Sequence, residues 1–153
     1  MSPGRAFTAL AAALAIIATS SCGSYAARDE AEGLAERYFT ARSDDDLAAA
    51  LPFYSAKFFA GIPREQWLSS LQVVHDRCGT PTSHSLKSWT ATNLVGAESG
   101  STVTLTYDVK YASCRVSETL VVFKPDGGED KILRHLMKLE GPTPDKNPAG
   151  TST

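Results

Sequence analysis

The fold is decided by residues 101–140, which have the sequence STVTLTYDVK YASCRVSETL VVFKPDGGED KILRHLMKLE. From 102 to 111 apolar and polar residues alternate, as in a half-buried strand whose successive side chains leave opposite faces of the pleat. The run 114–123 is rich in β-branched residues, and the two residues between the runs suffice for a tight hairpin loop. We therefore predict an antiparallel pair in which Tyr107 lies opposite Glu118. Both should face the core, because directly opposed residues share a face.

A third strand is predicted over residues 131–140, after a turn at 125–128 that combines one proline with two glycines. A four-residue loop there would place His135 directly across from Glu118. The more apolar face of this strand would be formed by Leu133, Met137 and Leu139, with His135 in the same row. The sequence thus predicts one polar row, Tyr107, Glu118 and His135, across three neighbouring strands. A one-residue slip in either loop would turn a strand over.

The N-terminus is predicted to be a lipoprotein-type signal peptide over residues 1–21. Its apolar segment, 6–18, is too short to span a bilayer, which takes about 20 residues. Small residues then lead to Cys22, a pattern that resembles the lipobox of bacterial lipoproteins, in which the cysteine is diacylated and becomes the mature N-terminus. Thr19 stands where that family prefers leucine. Ordinary signal-peptide cleavage after Ala26 therefore stays open as the alternative.

Either route exports the protein. Gly23 rather than aspartate after the cysteine would sort a lipoprotein of a Gram-negative bacterium to the outer membrane, facing the periplasm. Without lipidation the protein would be soluble, and periplasmic or secreted. Cleavage leaves 132 residues, which suits one domain, and loss of Arg5 moves the formal net charge from −2 to −3. A mildly acidic chain without a basic run is not expected to bind nucleic acid.

Three helices are predicted before the sheet. The first covers residues 26–41, where apolar residues recur with helical spacing. The second would be capped by Ser43, with three aspartates at 44–46 in its first turn. We interpret these aspartates as helix-capping residues, because no calcium-loop pattern surrounds them. The third runs over 63–77 and ends at Gly79.

A strand over residues 84–92 completes the sheet. The order of elements predicts an α+β fold, in which N-terminal helices pack on one face of a curved four-stranded antiparallel sheet. Residues 22–27 would form a short linker and residues 28–140 a single domain. Residues 141–153 lack apolar periodicity and are predicted to be a disordered tail.

Four segments carry a family resemblance: LPFYSAKFF at 51–59, PREQWL at 63–68, VTLTY at 103–107 and VSETLVV at 116–122. In this order they resemble the cystatin-like and nuclear transport factor two-like superfamily of cone-shaped folds. More closely, they resemble small exported bacterial proteins filed as a domain of unknown function. The chain departs from the pattern after the 125–128 turn, where a tryptophan is missing, and it carries two additional cysteines. The resemblance implies a fold and a location in the cell envelope, but no activity. Exposed strand surface often supports dimers in the superfamily, so a homodimer fits the expectation.

The cysteines support one covalent prediction. Cys22 is acylated or removed, which leaves Cys78 at the end of the third helix and Cys114 just past the hairpin loop. These two points lie at the same edge of an antiparallel meander. We therefore predict a disulfide between them, in a compartment where disulfides persist, with two buried free thiols as the alternative. No metal or cofactor is predicted, because paired metal-ligand spacings are absent from the sequence.

Two functional hypotheses follow. The first is a non-catalytic envelope lipoprotein, held to the membrane by its lipid, that binds an unknown protein or small-molecule ligand. The second is a small cone-fold enzyme of the isomerase or dehydratase type, with Tyr107, Glu118 and His135 as catalytic candidates. The same row could instead be a paired structural network. An open cavity around it would favour catalysis, and a filled interior would favour the binding module.

Overall fold

The computed structural model describes residues 20–142, with side chains from Gly23 onward. Most of the predicted signal peptide (1–19) and of the predicted tail (143–153) lies outside the described residues. The elements follow in the order α1 (Ser20–Ser43), a 3₁₀ helix (Leu47–Phe53), α2 (Ala56–Gly61), α3 (Arg64–Cys78), β1 (Pro81–Leu94), β2 (Gly100–Tyr111), β3 (Cys114–Pro125) and β4 (Lys131–Pro142). The four strands form one antiparallel sheet in the order β1-β2-β3-β4. The predicted α+β class is confirmed.

The helices cover one face of the sheet because α1 presents a continuous apolar stripe to it. The stripe is buried as its helical spacing predicted, and its members are Ala31, Leu34, Ala35, Tyr38 and Phe39. Residues 22–27 are helical and not the short linker that we predicted. This first turn of the helix is packed on the domain: the Tyr25 ring lies tilted against Trp89, with ring centroids 5.5 Å apart, and Ala27 packs against the core. Within residues 20–142, none of the helices has the length and apolar character of a membrane span.

The segment after α1 corrects the predicted second helix. Ser43 is the last residue of α1 and does not cap a new helix, because its hydroxyl bonds back to the carbonyl of Phe39 at 3.0 Å. Asp46 caps the following 3₁₀ helix instead, and its carboxylate accepts from the amide of Ala48 at 3.1 Å. α3 lies within one residue of its predicted bounds and stops at Gly79, whose φ of 78° lies in the left-handed region.

The β2–β3 pairing is as predicted, with Tyr107 opposite Glu118. The β3–β4 pairing is shifted by two residues, so that Glu118 faces Met137 and His135 faces Leu120. One residue of the shift arises at the turn, because Phe123 pairs with Lys131, one residue beyond the register of a four-residue loop. The other arises from an irregularity between the pairs Val121–Arg134 and Val122–Ile132, where Leu133 is left as an extra residue in β4.

The extra residue changes which side chains of β4 are buried. Ile132 and His135 both enter the core, although they stand three residues apart and a regular strand would point them to opposite faces. Leu139, which we placed on the apolar face, is exposed. β4 also extends through Gly141 and Pro142, so the predicted tail does not begin at 141.

Cys78 and Cys114 lie at disulfide distance, as predicted. Their Sγ atoms are 2.16 Å apart and their Cα atoms 5.1 Å apart. The bond connects the end of α3 to the β2–β3 hairpin, and the amide of Ser113 donates to the carbonyl of Cys78 at 2.9 Å beside it. This end of the domain is therefore held by one covalent bond and by main-chain hydrogen bonds.

Candidate functional site

Glu118 and His135 meet in the interior, although they are not directly opposed in the sheet. Because His135 pairs with Leu120, it stands diagonally from Glu118 on the same face, within reach of a long side chain. His135 Nε2 lies 2.9 Å from Glu118 Oε2, and both side chains are 0% exposed. Two of the three predicted site residues are therefore in contact, by a different register from the one we predicted.

Four further residues close a ring of hydrogen bonds around this pair. Tyr111 donates to the other carboxylate oxygen of Glu118, and Arg42 donates to Tyr111 at 3.1 Å. The ring then returns through two more tyrosine hydroxyls. Arg42 donates to Tyr38 at 2.5 Å, Tyr54 donates to Tyr38 at 3.2 Å, and Tyr54 Oη lies 2.8 Å from His135 Nδ1. All six side chains of the ring are buried.

Separate elements position the members of this ring. Tyr38 and Arg42 stand four residues apart in α1, so their side chains lie on one face of the helix. Tyr54 follows the 3₁₀ helix and is held against β4 by a bridge to Ile132, where the amide of Ser55 donates to the Ile132 carbonyl at 2.9 Å. The helical layer and the sheet are therefore joined through polar groups as well as through apolar packing.

The ring keeps Glu118 deprotonated. Burial alone would raise the pKa of Glu118, but the hydrogen bond and charge of His135, the charge of Arg42 and the hydrogen bond from Tyr111 hold that pKa below its ordinary value. Glu118 is therefore an acceptor-only carboxylate, and Nε2 of His135 must carry the hydrogen between them. Arg42 stays charged: burial opposes this, but the neighbouring tyrosines and Glu118 raise its pKa.

The tyrosines of the ring are neutral. Burial raises the pKa of Tyr38 to about 12, and it raises the pKa of Tyr54 and Tyr111 as well. A buried phenol resists ionisation because the phenolate would lose its hydration. The ring thus connects the Glu118 carboxylate to the Arg42 guanidinium through neutral hydroxyl groups and the imidazole of His135.

Tyr107 faces the core, as predicted, but it is not part of the hydrogen-bonded ring. It lies opposite Glu118 in the register, but its ring packs against Phe39 and His84, with centroids 5.1 and 5.7 Å away. Its hydroxyl is buried with no hydrogen-bond partner among the described residues, and burial raises its pKa. Tyr111 takes the place that we predicted for Tyr107.

Sequence reasoning missed four members of the ring: Arg42, Tyr38, Tyr54 and Tyr111. One signal was available, because Arg42 continues the apolar stripe of α1 at the next helical position after Tyr38 and Phe39. A charged residue in an apolar stripe calls for a buried partner of opposite charge. No comparable signal marked Tyr54.

Aromatic side chains enclose the ring on the helix side. The rings of Trp67 and Tyr38 lie edge-on to His135, with centroids 5.4 and 5.6 Å away, and Phe58 packs 5.1 Å from Trp67. The interior between sheet and helices is filled by these side chains. Both oxygens of Glu118 and both ring nitrogens of His135 are engaged by protein groups, which leaves none of them free to meet a substrate.

Residues 23–142 contain no cluster of His, Cys, Asp or Glu side chains with the geometry of a metal site. No protein-family model, curated protein or solved structure matches the chain.

Proposed function

We propose that this protein is a non-catalytic lipoprotein of the bacterial cell envelope, which serves as a binding or assembly module. Acylated Cys22 would anchor it, and Gly23 after the anchor favours the periplasmic side of the outer membrane. The apolar segment before Cys22 and the Cys78–Cys114 pair support export, because disulfides persist in oxidising compartments.

One observation carries the non-catalytic part of the proposal. Glu118 and His135, the acid–base pair among the predicted catalytic candidates, are 0% exposed and bonded on every side-chain heteroatom. A general acid or base must come within hydrogen-bond distance of the substrate proton that it transfers. The alternative, a small cone-fold isomerase or dehydratase, would require the helices to move off the sheet. The arrangement is better explained as a structural network.

The filled interior also bears on where a partner would bind. The buried face of the sheet is covered by the helices, so binding of a protein or a small molecule would use an outer surface. The same holds for a homodimer. Cross-linking in the native envelope, followed by identification of the attached chain, tests for either kind of protein partner.

The anchor is tested by mass spectrometry of the mature N-terminus. We expect a diacylated Cys22 and recovery of the protein with membranes. The variant Cys22→Ala should lose both, whereas Ser24→Ala, two residues further on, should retain both. An unmodified N-terminus at Ala27 would show ordinary cleavage instead and would overturn the lipoprotein proposal.

A further inference from the structure

The turn between β1 and β2 exposes apolar side chains at its tip. Leu94 is exposed, and Val95 is 97% exposed, the most exposed large apolar side chain of the described residues. Glu98 in the same turn forms an ion pair with Lys57 at 3.3 Å. The tip therefore presents an apolar surface to its surroundings, while its acidic residue is paired at the side.

This tip lies at the end of the domain where α1 begins. α1 runs antiparallel to β1, since Ser43 at its far end contacts Pro81 and its first residues share a surface groove with Leu94. Gly23 and Ala26 line that groove together with Leu94. Tyr25 lies in the same turn of α1, where its ring packs against Trp89 and remains 55% exposed.

Exposed apolar side chains are concentrated at this end. Of the six large apolar residues that are exposed within residues 23–142, three are Tyr25, Leu94 and Val95. Single exposed apolar residues are ordinary, but a group of them marks a contact surface. Tyrosine is also enriched at membrane interfaces, where its ring is apolar and its hydroxyl stays hydrated.

We propose that Leu94 and Val95, together with Tyr25, form a second contact with the membrane to which Cys22 is anchored. The inference rests on the proposed lipidation. Residues 22–27 are helical, so no flexible linker separates the anchor from the domain. At 1.5 Å per helical residue, Tyr25 lies only about 5 Å along the axis from Cys22. An acyl chain on Cys22 therefore holds this end of the domain at the lipid headgroups.

The charges at this end indicate an apolar contact rather than an electrostatic one. The β3–β4 turn borders the same groove through Asp126 and continues into Glu129 and Asp130. Lys124 is paired with Glu30, and Lys131 with Glu129 at 3.5 Å. This acidic edge would not attract anionic lipids, so membrane contact at the tip should not weaken at high salt.

The contact would also fix the orientation of the domain. β1 is 14 residues long, so its two ends lie about 45 Å apart at 3.3 Å per residue. With the Leu94 end at the bilayer, the disulfide end projects away from the membrane. The surface around the β2–β3 hairpin would then be the part available to a partner in the surrounding compartment.

A fluorescent label at the tip tests the proposal in the acylated, disulfide-bonded protein. Val95→Cys adds a single free thiol, which is labelled with a polarity-sensitive dye and reconstituted in phosphatidylethanolamine–phosphatidylglycerol vesicles. Val73→Cys is the matched control, because Val73 is 66% exposed and lies on α3 near the disulfide end. We expect blue-shifted emission and loss of iodide quenching at 95 but not at 73, and neither effect should weaken at high salt.

A second pair of substitutions ties the signal to the apolar tip. Leu94→Asp should restore iodide quenching of the label at 95. Leu136→Asp, at an exposed leucine on β4, should leave the label shielded.

The outcomes separate the two proposals. Equal quenching at 95 and 73, in protein whose acylation is verified by mass spectrometry, overturns the membrane contact and leaves the lipid anchor intact. A label shielded in native envelopes but not in vesicles assigns the tip to a protein partner and also overturns it. Absence of the acyl group overturns both the lipoprotein proposal and the inference that rests on it.

Discussion

Replacing Glu118 by glutamine should strongly lower the free energy of unfolding, although the two side chains have nearly the same shape. The carboxylate accepts hydrogen bonds from His135 at 2.9 Å and from Tyr111, which is itself bonded to Arg42. Hydrogen bonds to a charged group contribute about 1.5–3 kcal/mol each. Breaking a buried ion pair on one side costs about 3–5 kcal/mol, because the remaining charge has no partner. We expect a loss of about 3–5 kcal/mol in the free energy of unfolding.

Urea denaturation of the disulfide-bonded protein measures this loss. Glu129→Gln is the matched control, because the Glu129 side chain is 85% exposed and its substitution should change stability by no more than about 0.5 kcal/mol. Adding Arg42→Met to Glu118→Gln should cost less than the sum of the two single changes, since the guanidinium left without its carboxylate is then removed as well. A loss below about 1 kcal/mol for Glu118→Gln would refute the buried network.

The acid side of the stability curve provides a second test of the same network. The pKa of Glu118 is lower in the folded state, so its contribution is fully present above the unfolded value of about 4.3. That contribution is lost as the pH falls through the folded pKa. The curves of the wild type and Glu118→Gln should therefore converge as the pH falls below about 4. Parallel curves over this range would show that Glu118 is not held by the ring.

The remaining predictions concern other parts of the fold. Removing the disulfide with Cys78→Ala and Cys114→Ala should lower the free energy of unfolding by about 4 kcal/mol, from the chain-entropy relation for a separation of 36 residues. Denaturation of the wild type with and without reductant, beside the double variant, measures this loss. Equal stability of the oxidised wild type and the double variant would contradict the prediction. The contribution of Tyr38 to the free energy of unfolding should be fully present below about pH 10 and be lost as the pH rises towards 12, because burial raises the pKa of Tyr38 to about 12 while the unfolded phenol ionises near 10. Tyrosinate absorbance followed together with circular dichroism checks that ionisation accompanies unfolding. Gly79→Ala should destabilise by at least about 1 kcal/mol, because its φ is 78° and the new Cβ would lie 2.8 Å from the Cβ of Ala112. Gly61→Ala has open space and should be neutral or slightly stabilising, so similar melting temperatures for the two glycine variants would count against the backbone argument.

The sheet shows which strand registers a local sequence pattern can predict and which it cannot. The β2–β3 register followed from the sequence, because strict alternation marks one face of β2 and a two-residue loop leaves little freedom in the pairing. The inward position of Glu118 followed directly from that register. The β3–β4 register did not follow, because the turn is one residue longer than predicted and β4 has an extra residue at Leu133. Period-two reasoning cannot bury both Ile132 and His135, whereas packing against the helices buries both.

The polar ring could be identified only from the tertiary structure. Arg42 and Tyr111 are 69 residues apart in the chain, and Tyr54 and His135 are 81 apart. These contacts depend on how α1 and the segment after it dock on the sheet. That docking is set by the summed packing of the core, which no local pattern encodes.

The sequence by itself determined the α+β order of elements, the β2–β3 pairing and the approach of Cys78 to Cys114, since these depend on periodicity, turn residues and meander geometry. The export and lipidation predictions also rest on the sequence alone. A signal peptide such as the apolar segment at 6–18 is recognised as an unfolded peptide, so its residue order carries the signal. Only the tertiary structure decided that aromatic side chains fill the interior between sheet and helices, that Tyr111 rather than Tyr107 bonds Glu118, and that the apolar tip at Val95 stands beside the start of α1. The physical reason is that these features join residues distant in the chain, and they exist only once the helices have packed on the sheet.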